Sequence, residues 1–207
     1  MNKIYKIIIL LTFLIIGCSH NKTDEIKVNK EINNLDLNIY TISGEKKYSI
    51  NSPYSIYDNF KNKLKFQKTT INIFKNGKTI YIISSDESLL SDNNKLLELK
   101  GNVKLKTIND DEDYLYADNF IWNIDETNYL LIGNIRFENK NVILTSGKAK
   151  LGSDNIVEFY NPVKYIIKDN NDDNKFETNS ENAYYDIKQE TLTFKAKSKR
   201  VSSKIYF

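Results

Sequence analysis

The sequence predicts an antiparallel all-β protein built from a repeated strand unit. Three observations carry this. The alternating stretch Leu96 to Lys106 (LLELKGNVKLK) returns with variation as Tyr129 to Phe137, Val157 to Tyr165 and Leu192 to Arg200. Asn76-Gly77 stands between two apolar-rich runs, and both residues tolerate the positive φ of a type I′ hairpin turn. No segment carries a sustained apolar stripe of helical period.

Alternation of period two places one set of side chains on one face of a strand. Aligned on Gly101, Gly133, Asn161 and Ala196, the four copies keep that alternation in frame. One face collects Leu97, Leu99, Val103 and Leu105, then Tyr129, Leu131, Ile135 and Phe137. It continues with Val157, Phe159, Val163 and Tyr165, then Leu192, Phe194 and Ala196. The opposite face is basic and polar in the first and last copies and less clean in the middle ones, where Leu130, Ile132 and Tyr160 fall on it. A one-residue slip would expose every inward residue, so a shared frame is a strong constraint. Gly or Asn at the centre of a copy predicts a bulge or bend.

In chain order, Leu35 to Ile42 alternates and reads as the first strand. Ser43-Gly44-Glu45 is a turn, and Lys46 to Ser52 a second strand that Pro53 ends. Tyr54 to Lys65 reads equally as a loop or a short strand. Thr69 to Phe74 and Thr79 to Ile83 flank the hairpin turn, and polar Ser84 to Lys95 connects to the first strong copy. Tyr114 to Asn123 is a strand with a bulge expected at Asp118-Asn119. Val142 to Leu144 and Gly147 to Leu151 are shorter pieces, and a strand lies within Lys175 to Ile187. Asn109 to Asp113, Gly152 to Asn155, Asp169 to Asn174 and Lys188 to Glu190 supply turns.

The N-terminus has a different character. Lys3 and Lys6 precede the apolar run Ile7 to Ile16, then Gly17 and Cys18. Basic residues, a short apolar core and a small residue make an export signal, and the run falls short of the ~20 residues that span a bilayer. Ile15-Ile16-Gly17-Cys18 resembles a bacterial lipobox, which makes Cys18 the acylated first residue of the mature protein. The competing reading is an uncleaved, slightly short anchor. The expected organisation is therefore an export signal over 1–17, a lipidated cysteine and flexible tether over 18–34, and a β domain over 35–207. Net charge is +3, and +1 without Lys3 and Lys6, so no global field attracts nucleic acid.

Few residues suit catalysis. The one histidine, His20, lies in the tether, and the one cysteine is the lipidation site, so neither a Ser-His nor a Cys-His pair is available. No phosphate-binding glycine loop occurs. Asp169, Asn171 and Asp173 open with calcium-loop spacing, but Asn174 replaces the glycine and Ser180 the bidentate Glu, so the segment reads as a solvated turn. No enzyme, metal or cofactor is expected. Lys195, Lys197, Lys199, Arg200 and Lys204 cluster near the C-terminus, which reads as protection of an outer strand or as contact with phosphate or an acidic partner. The inward aromatic and aliphatic face is either core or the wall of a groove, where each methylene withdrawn from water gains about 0.8 kcal/mol.

The exported anchor, the repeated L-x-L-x-G-N-V pattern and Ala117-Asp118 ahead of Phe120 and Trp122 resemble the OstA-type repeat. Gly44-x-x-x-Tyr48-x-Ile50-x-Ser52 and the single-domain length are similar to the LptC family, membrane-anchored periplasmic components of lipopolysaccharide export. The resemblance spans roughly residues 35 to 200. It implies a V-shaped antiparallel β-jellyroll, open at both edges, that shields the acyl chains of lipopolysaccharide or a related glycolipid. Leu99, Val103, Leu105, Leu131, Ile135, Phe137, Phe159 and Val163 would contact those chains. Inner-membrane ABC transporter subunits would deliver the lipid and supply the energy. A periplasmic jellyroll bridge protein would receive it by strand addition at edges near Leu35 to Ile42 and Leu192 to Arg200. The family's best-known members keep a transmembrane helix where this chain has a lipobox, and Ser19 leaves open which membrane holds the anchor. Two other readings remain: a structural or adhesive β-rich envelope lipoprotein with a dry core, and a soluble bridge protein with a cleaved, unlipidated N-terminus.

Overall fold

The computed structural model describes residues 29–206, apart from 109–112, 127, 152–155, 169–172, 187, 190 and 199. The expected export signal, Cys18 and most of the expected tether lie outside the described residues. So do the Gly152 to Asn155 turn and most of the acidic turns at Asn109 to Asp113 and Asp169 to Asn174.

Among the described residues, twelve strands form one antiparallel sheet. They are β1 (Asn29–Tyr40), β2 (Lys46–Asp58), β3 (Lys63–Lys75), β4 (Lys78–Ser91), β5 (Leu96–Thr107), β6 (Tyr114–Asn123), β7 (Asn128–Glu138), β8 (Val142–Leu151), β9 (Ile156–Lys168), β10 (Asn174–Asp186), β11 (Thr191–Lys195) and β12 (Ser202–Ile205). From β1 to β11 each strand pairs with its neighbour in sequence, and β12 pairs with β10. β1 has a partner on one side only, as do β11 and β12, so the sheet stays open. Asn76 (φ +52°) and Gly77 (φ +73°) turn the β3–β4 hairpin as the sequence predicts.

Four expectations need correction. β1 starts at Asn29, not Leu35, because Asn29 to Asn33 pair with Asp58 to Tyr54. Pro53 does not end β2, which runs on to Asp58 and so settles the undecided segment after it. Proline lacks an N–H, but the ladders skip Pro53 on both sides without changing register, and Asn34 and Lys68 there take positive φ of +54° and +49°. Ser84 to Ser91 belongs to β4, and three of its serines point inward: Ser85, Ser88 and Ser91 are buried, with the Ser85 and Ser88 hydroxyls 2.8 Å apart, while Asp86 and Glu87 are exposed. The fourth repeat copy is half a strand, since the chain leaves β10 after Lys195 and rejoins it at Ser202.

Each long strand changes step near its middle. Buried residues jump from Ser52 to Ser55 on β2, Phe66 to Thr69 on β3, Ser85 to Ser88 on β4, Ala117 to Phe120 on β6, Ser146 to Ala149 on β8 and Ser180 to Ala183 on β10. A jump of three reverses the inside-outside frame. On β5, β7 and β9 the jumps are Leu99 to Val103, Leu131 to Ile135 and Phe159 to Val163, which keep it. From the β4–β5 pair to the β9–β10 pair the ladder register shifts at the same places, while the β1–β2, β2–β3 and β3–β4 ladders keep register and only skip pairs there, so the irregularities line up as one crease across the sheet.

The crease divides the sheet into two leaves. Leaf A ends at the Asn76-Gly77 hairpin and carries Tyr48, Ile71, Ile83, Val103, Ile135 and Val163. Leaf B carries Phe66, Leu90, Leu97, Trp122, Leu131 and Phe159. The leaves fold onto each other. Tyr48 on β2 and Trp122 on β6 would stand about 19 Å apart in a flat sheet with strands ~4.8 Å apart, yet their ring centroids are 5.2 Å apart. Tyr165 in leaf A likewise meets Phe194 in leaf B at 5.6 Å. One apolar cluster fills the space between.

Candidate functional site

The crease is built by a recurring device. On β2, β4, β8 and β10 the last inward residue of leaf A is a serine whose hydroxyl donates to the carbonyl two residues on. The distances are Ser52 to Tyr54 O 2.7 Å, Ser85 to Glu87 O 3.1 Å, Ser146 to Lys148 O 3.3 Å and Ser180 to Asn182 O 2.9 Å. Ala117 holds this place on β6. The next residue on β4 and β6 is an aspartate facing the bulge of the following strand. Asp86 accepts from Asn102 Nδ2 at 2.8 Å, and Asp118 from Asn134 Nδ2 at 2.9 Å. Gly101 (φ +74°) and Gly133 (φ +79°) precede those asparagines, and a Cβ on either would lie 2.6 or 2.3 Å from the aspartate oxygen. Here glycine is required by both backbone and space. The bulge thus falls on Gly-Asn, as the sequence predicts, while Asp118 sits opposite it and not within it. On β10, Glu181 accepts the Lys197 and Ser198 N–H groups where the edge strand breaks.

Between the leaves lies the surface that the repeats predict. All of the shared inward face but Ala196, which lies past the end of β11, points in: Leu97, Leu99, Val103, Leu131, Ile135, Phe159 and Val163 are buried, and Leu105, Tyr129, Phe137, Val157, Tyr165, Leu192 and Phe194 pack against them half-buried. Of the eight residues singled out for ligand contact, only Leu105 and Phe137 keep substantial exposure. Leu99 has 0%. The environment is dry. Burial, helped by the Asp125 charge, pushes the Tyr48 phenol up to about 12. Burial also raises Tyr129, with a smaller push from Tyr81 across the fold, and raises Tyr165. Such an interior is suited to apolar groups and not to charged ones. No cluster of His, Cys, Asp or Glu fit for a metal occurs among the described residues.

The two edges differ. β1 is a single run of twelve residues, inward at Leu35, Leu37 and Ile39. The other edge is split between β11, which covers leaf B of β10, and β12, which covers leaf A. All four β12 residues are exposed, and Thr178 Oγ1 to Ser203 Oγ at 2.9 Å is a side-chain tie across the pair. Beneath β12, Glu177 meets Lys164 at 3.0 Å. The Asn179 amide first, and then Lys164, hold its carboxyl below the usual range. Lys195 lies over the Tyr184 ring at 4.8 Å, and Lys195, Lys197, Arg200 and Lys204 are exposed along this side.

Sequence reasoning missed the serine row, the buried Phe66 and the reach of β1. The Ser-Pro, Ser-Asp, Ala-Asp, Ser-Gly and Ser-Glu pairs at positions 52, 85, 117, 146 and 180 were the available signal.

A family model described as "Lipopolysaccharide-assembly, LptC-related" matches residues 7–129, more than half of the chain. The chain belongs to this family. The match runs from the apolar N-terminal segment into β7, so β8 to β12 of this LptC-related chain lie beyond it. No curated protein matches. Among solved structures, it is similar to LptH of Pseudomonas aeruginosa, described as the LptA-homologous periplasmic component of the lipopolysaccharide transport device. The identity is 7%, the TM-score 0.43, and the alignment covers 77% of this chain and 94% of that one.

Proposed function

We propose that this LptC-related chain is a membrane-anchored periplasmic component of lipopolysaccharide export. It shields acyl chains between its two leaves and passes the glycolipid from an inner-membrane ABC extractor to the next jellyroll bridge protein. It performs no chemistry, and ATP hydrolysed by the extractor subunits drives the transfer. The observation that carries this is the pairing of family membership with an open sheet whose inward faces make one apolar lining. Acylation at Cys18 tethers the domain, since two or more chains anchor stably where one does not. The family match, beginning at Ile7 in the apolar run, takes in this N-terminal segment.

Within the lining the eight residues divide. Half-exposed Leu105 and Phe137 meet acyl chains first. Leu99, Val103, Leu131, Ile135, Phe159 and Val163 form the wall that the chains reach as the leaves part. The free edges of β1 and of β11 with β12 dock neighbours by strand addition.

A photo-crosslinker at Leu105 is expected to label lipopolysaccharide, and one at the outward Lys104 is not. Equal labelling from both, or none from Leu105, would defeat the lipid path. The deep burial of Leu97 and Leu99 favours the rival reading of a dry-cored structural lipoprotein. Absence of co-purified lipid from the native protein would decide for that rival.

A further inference from the structure

Among the described residues, exposed large apolar side chains sit at both ends of the leaves. Ile42 and Ile108 lie at the leaf A end, and Phe60, 71% exposed, lies in the β2–β3 turn at the leaf B end. The Phe60 turn is a built one. The Asp58 carboxylate accepts the Phe60 and Lys61 N–H groups at 3.1 and 3.0 Å. Asn62, at φ +48°, takes the Tyr57 hydroxyl at 2.9 Å and donates to Asn93 of the next turn at 2.9 Å. These bonds present Phe60 to solvent between the Asp58 cap and the cations Lys61 and Lys63. The next turns along leaf B are not basic: Asp92 shares one with Lys95, and Asp125 and Glu126 lie in the other, Asp125 with Lys95 at 3.0 Å.

This aromatic, basic turn is also where the chain enters the sheet, since Asn29 pairs with Asp58. Asn29 lies eleven positions after Cys18 in the sequence. β1 then runs about 40 Å toward leaf A at ~3.4 Å per residue, carrying Ile42 to the far end. An anchor upstream of Asn29 therefore holds the Phe60 end near the bilayer and the Asn76-Gly77 end away from it.

We propose that the β2–β3 turn is a membrane-contact element. Phe60 seats among the headgroups of an anionic bilayer, and Lys61 and Lys63 meet lipid phosphates, which stands the domain with leaf B toward the membrane. Aromatic rings settle at that depth, and each lysine near an anionic surface adds roughly fivefold to binding. The inference rests on the anchored reading above.

The test uses the full chain reconstituted in phosphatidylethanolamine–phosphatidylglycerol vesicles containing a headgroup-depth quencher. An environment-sensitive fluorescent amino acid is placed at Asn59 and, at the other end, at Lys78. The expected result is quenching at 59 and not at 78, lost on Phe60→Ser and weakened by Lys61→Glu with Lys63→Glu or by high salt. Phe60→Ser leaves the core untouched. Flotation with the vesicles and equal signals at 59 and 78 would overturn the inference alone. So would quenching at 59 that survives Phe60→Ser, because the tether by itself would then explain it. A chain that does not float would overturn the anchored reading and this one together.

Discussion

The centre of the sheet and its closing edge cross the same crease by different means. At the β4/β5 and β6/β7 junctions the strand stays continuous. A Gly-Asn bulge absorbs the bend, and an aspartate from the strand before ties the asparagine down. At the β10 edge the strand breaks, and Glu181 collects the freed N–H groups while β11 and β12 cover the two leaves separately. The centre has ladders on both sides to keep, so an interruption there would leave backbone groups buried and unpaired. The edge has one ladder and water on its other side. A crease can therefore be sealed with a latch where the sheet is thick with neighbours, and with a gap where it is not.

The largest test of this contrast is truncation on either side of it. Leu99→Ala at the centre removes a side chain with 0% exposure and should cost about 3 kcal/mol. Leu192→Ala on half-buried β11 should cost about 1 kcal/mol, and equal losses in urea unfolding would erase the distinction. Next in size is the latch. Gly133→Ala should cost roughly 2 kcal/mol, from the positive φ and from collision with Asp118. Asp118→Ala should relieve part of that cost, so the double variant should be less destabilised than the sum of the singles by about 1 kcal/mol. Simple additivity in the double-mutant cycle would mean the two do not touch. Ending the chain before Ser202 should cost under about 1 kcal/mol, because β12 buries no whole side chain. A loss as large as that of Leu99→Ala would make β12 part of the core.

The smallest effect expected is one of pH. Glu177 has a folded pKa below its ordinary 4.5, so its contribution is present above that value and disappears as pH falls through the folded one. Between about pH 5 and pH 3 the native chain should therefore lose more of its urea midpoint than Glu177→Gln does. Parallel curves for the two proteins would remove Glu177 from the edge's stability.

The same jump between leaves explains what the sequence made legible. β5, β7 and β9 step by four at the crease and stay in phase, so their alternation reads straight through Gly101, Gly133 and Asn161. β2, β3, β4, β6, β8 and β10 step by three, and their frames reverse midway. A reader following one frame therefore sees two short strands or a polar connection, as at Ser84 to Lys95. Buried serines deepened the disguise, because hydroxyls that satisfy carbonyls two residues on look like loop residues in a one-dimensional pattern. Of the candidate lining, the inward face was legible residue by residue. Its depth was not, because Leu99 and Leu105 carry the same pattern yet differ in how far the opposite leaf covers them. Pro53 misled for a different reason: a proline ends a strand only where its missing N–H is needed, and the ladders on both sides skip Pro53 without losing register.

The sole tryptophan lies between the two leaves, its indole 5.2 Å from the Tyr48 ring on one side and 5.8 Å from the Tyr129 ring on the other. The molecule thus carries its own optical gauge. Any parting of the halves changes the emission of Trp122 and its energy transfer from Tyr48, with Tyr129 on the same leaf as a fixed reference, so opening can be followed in the purified, unlabelled protein.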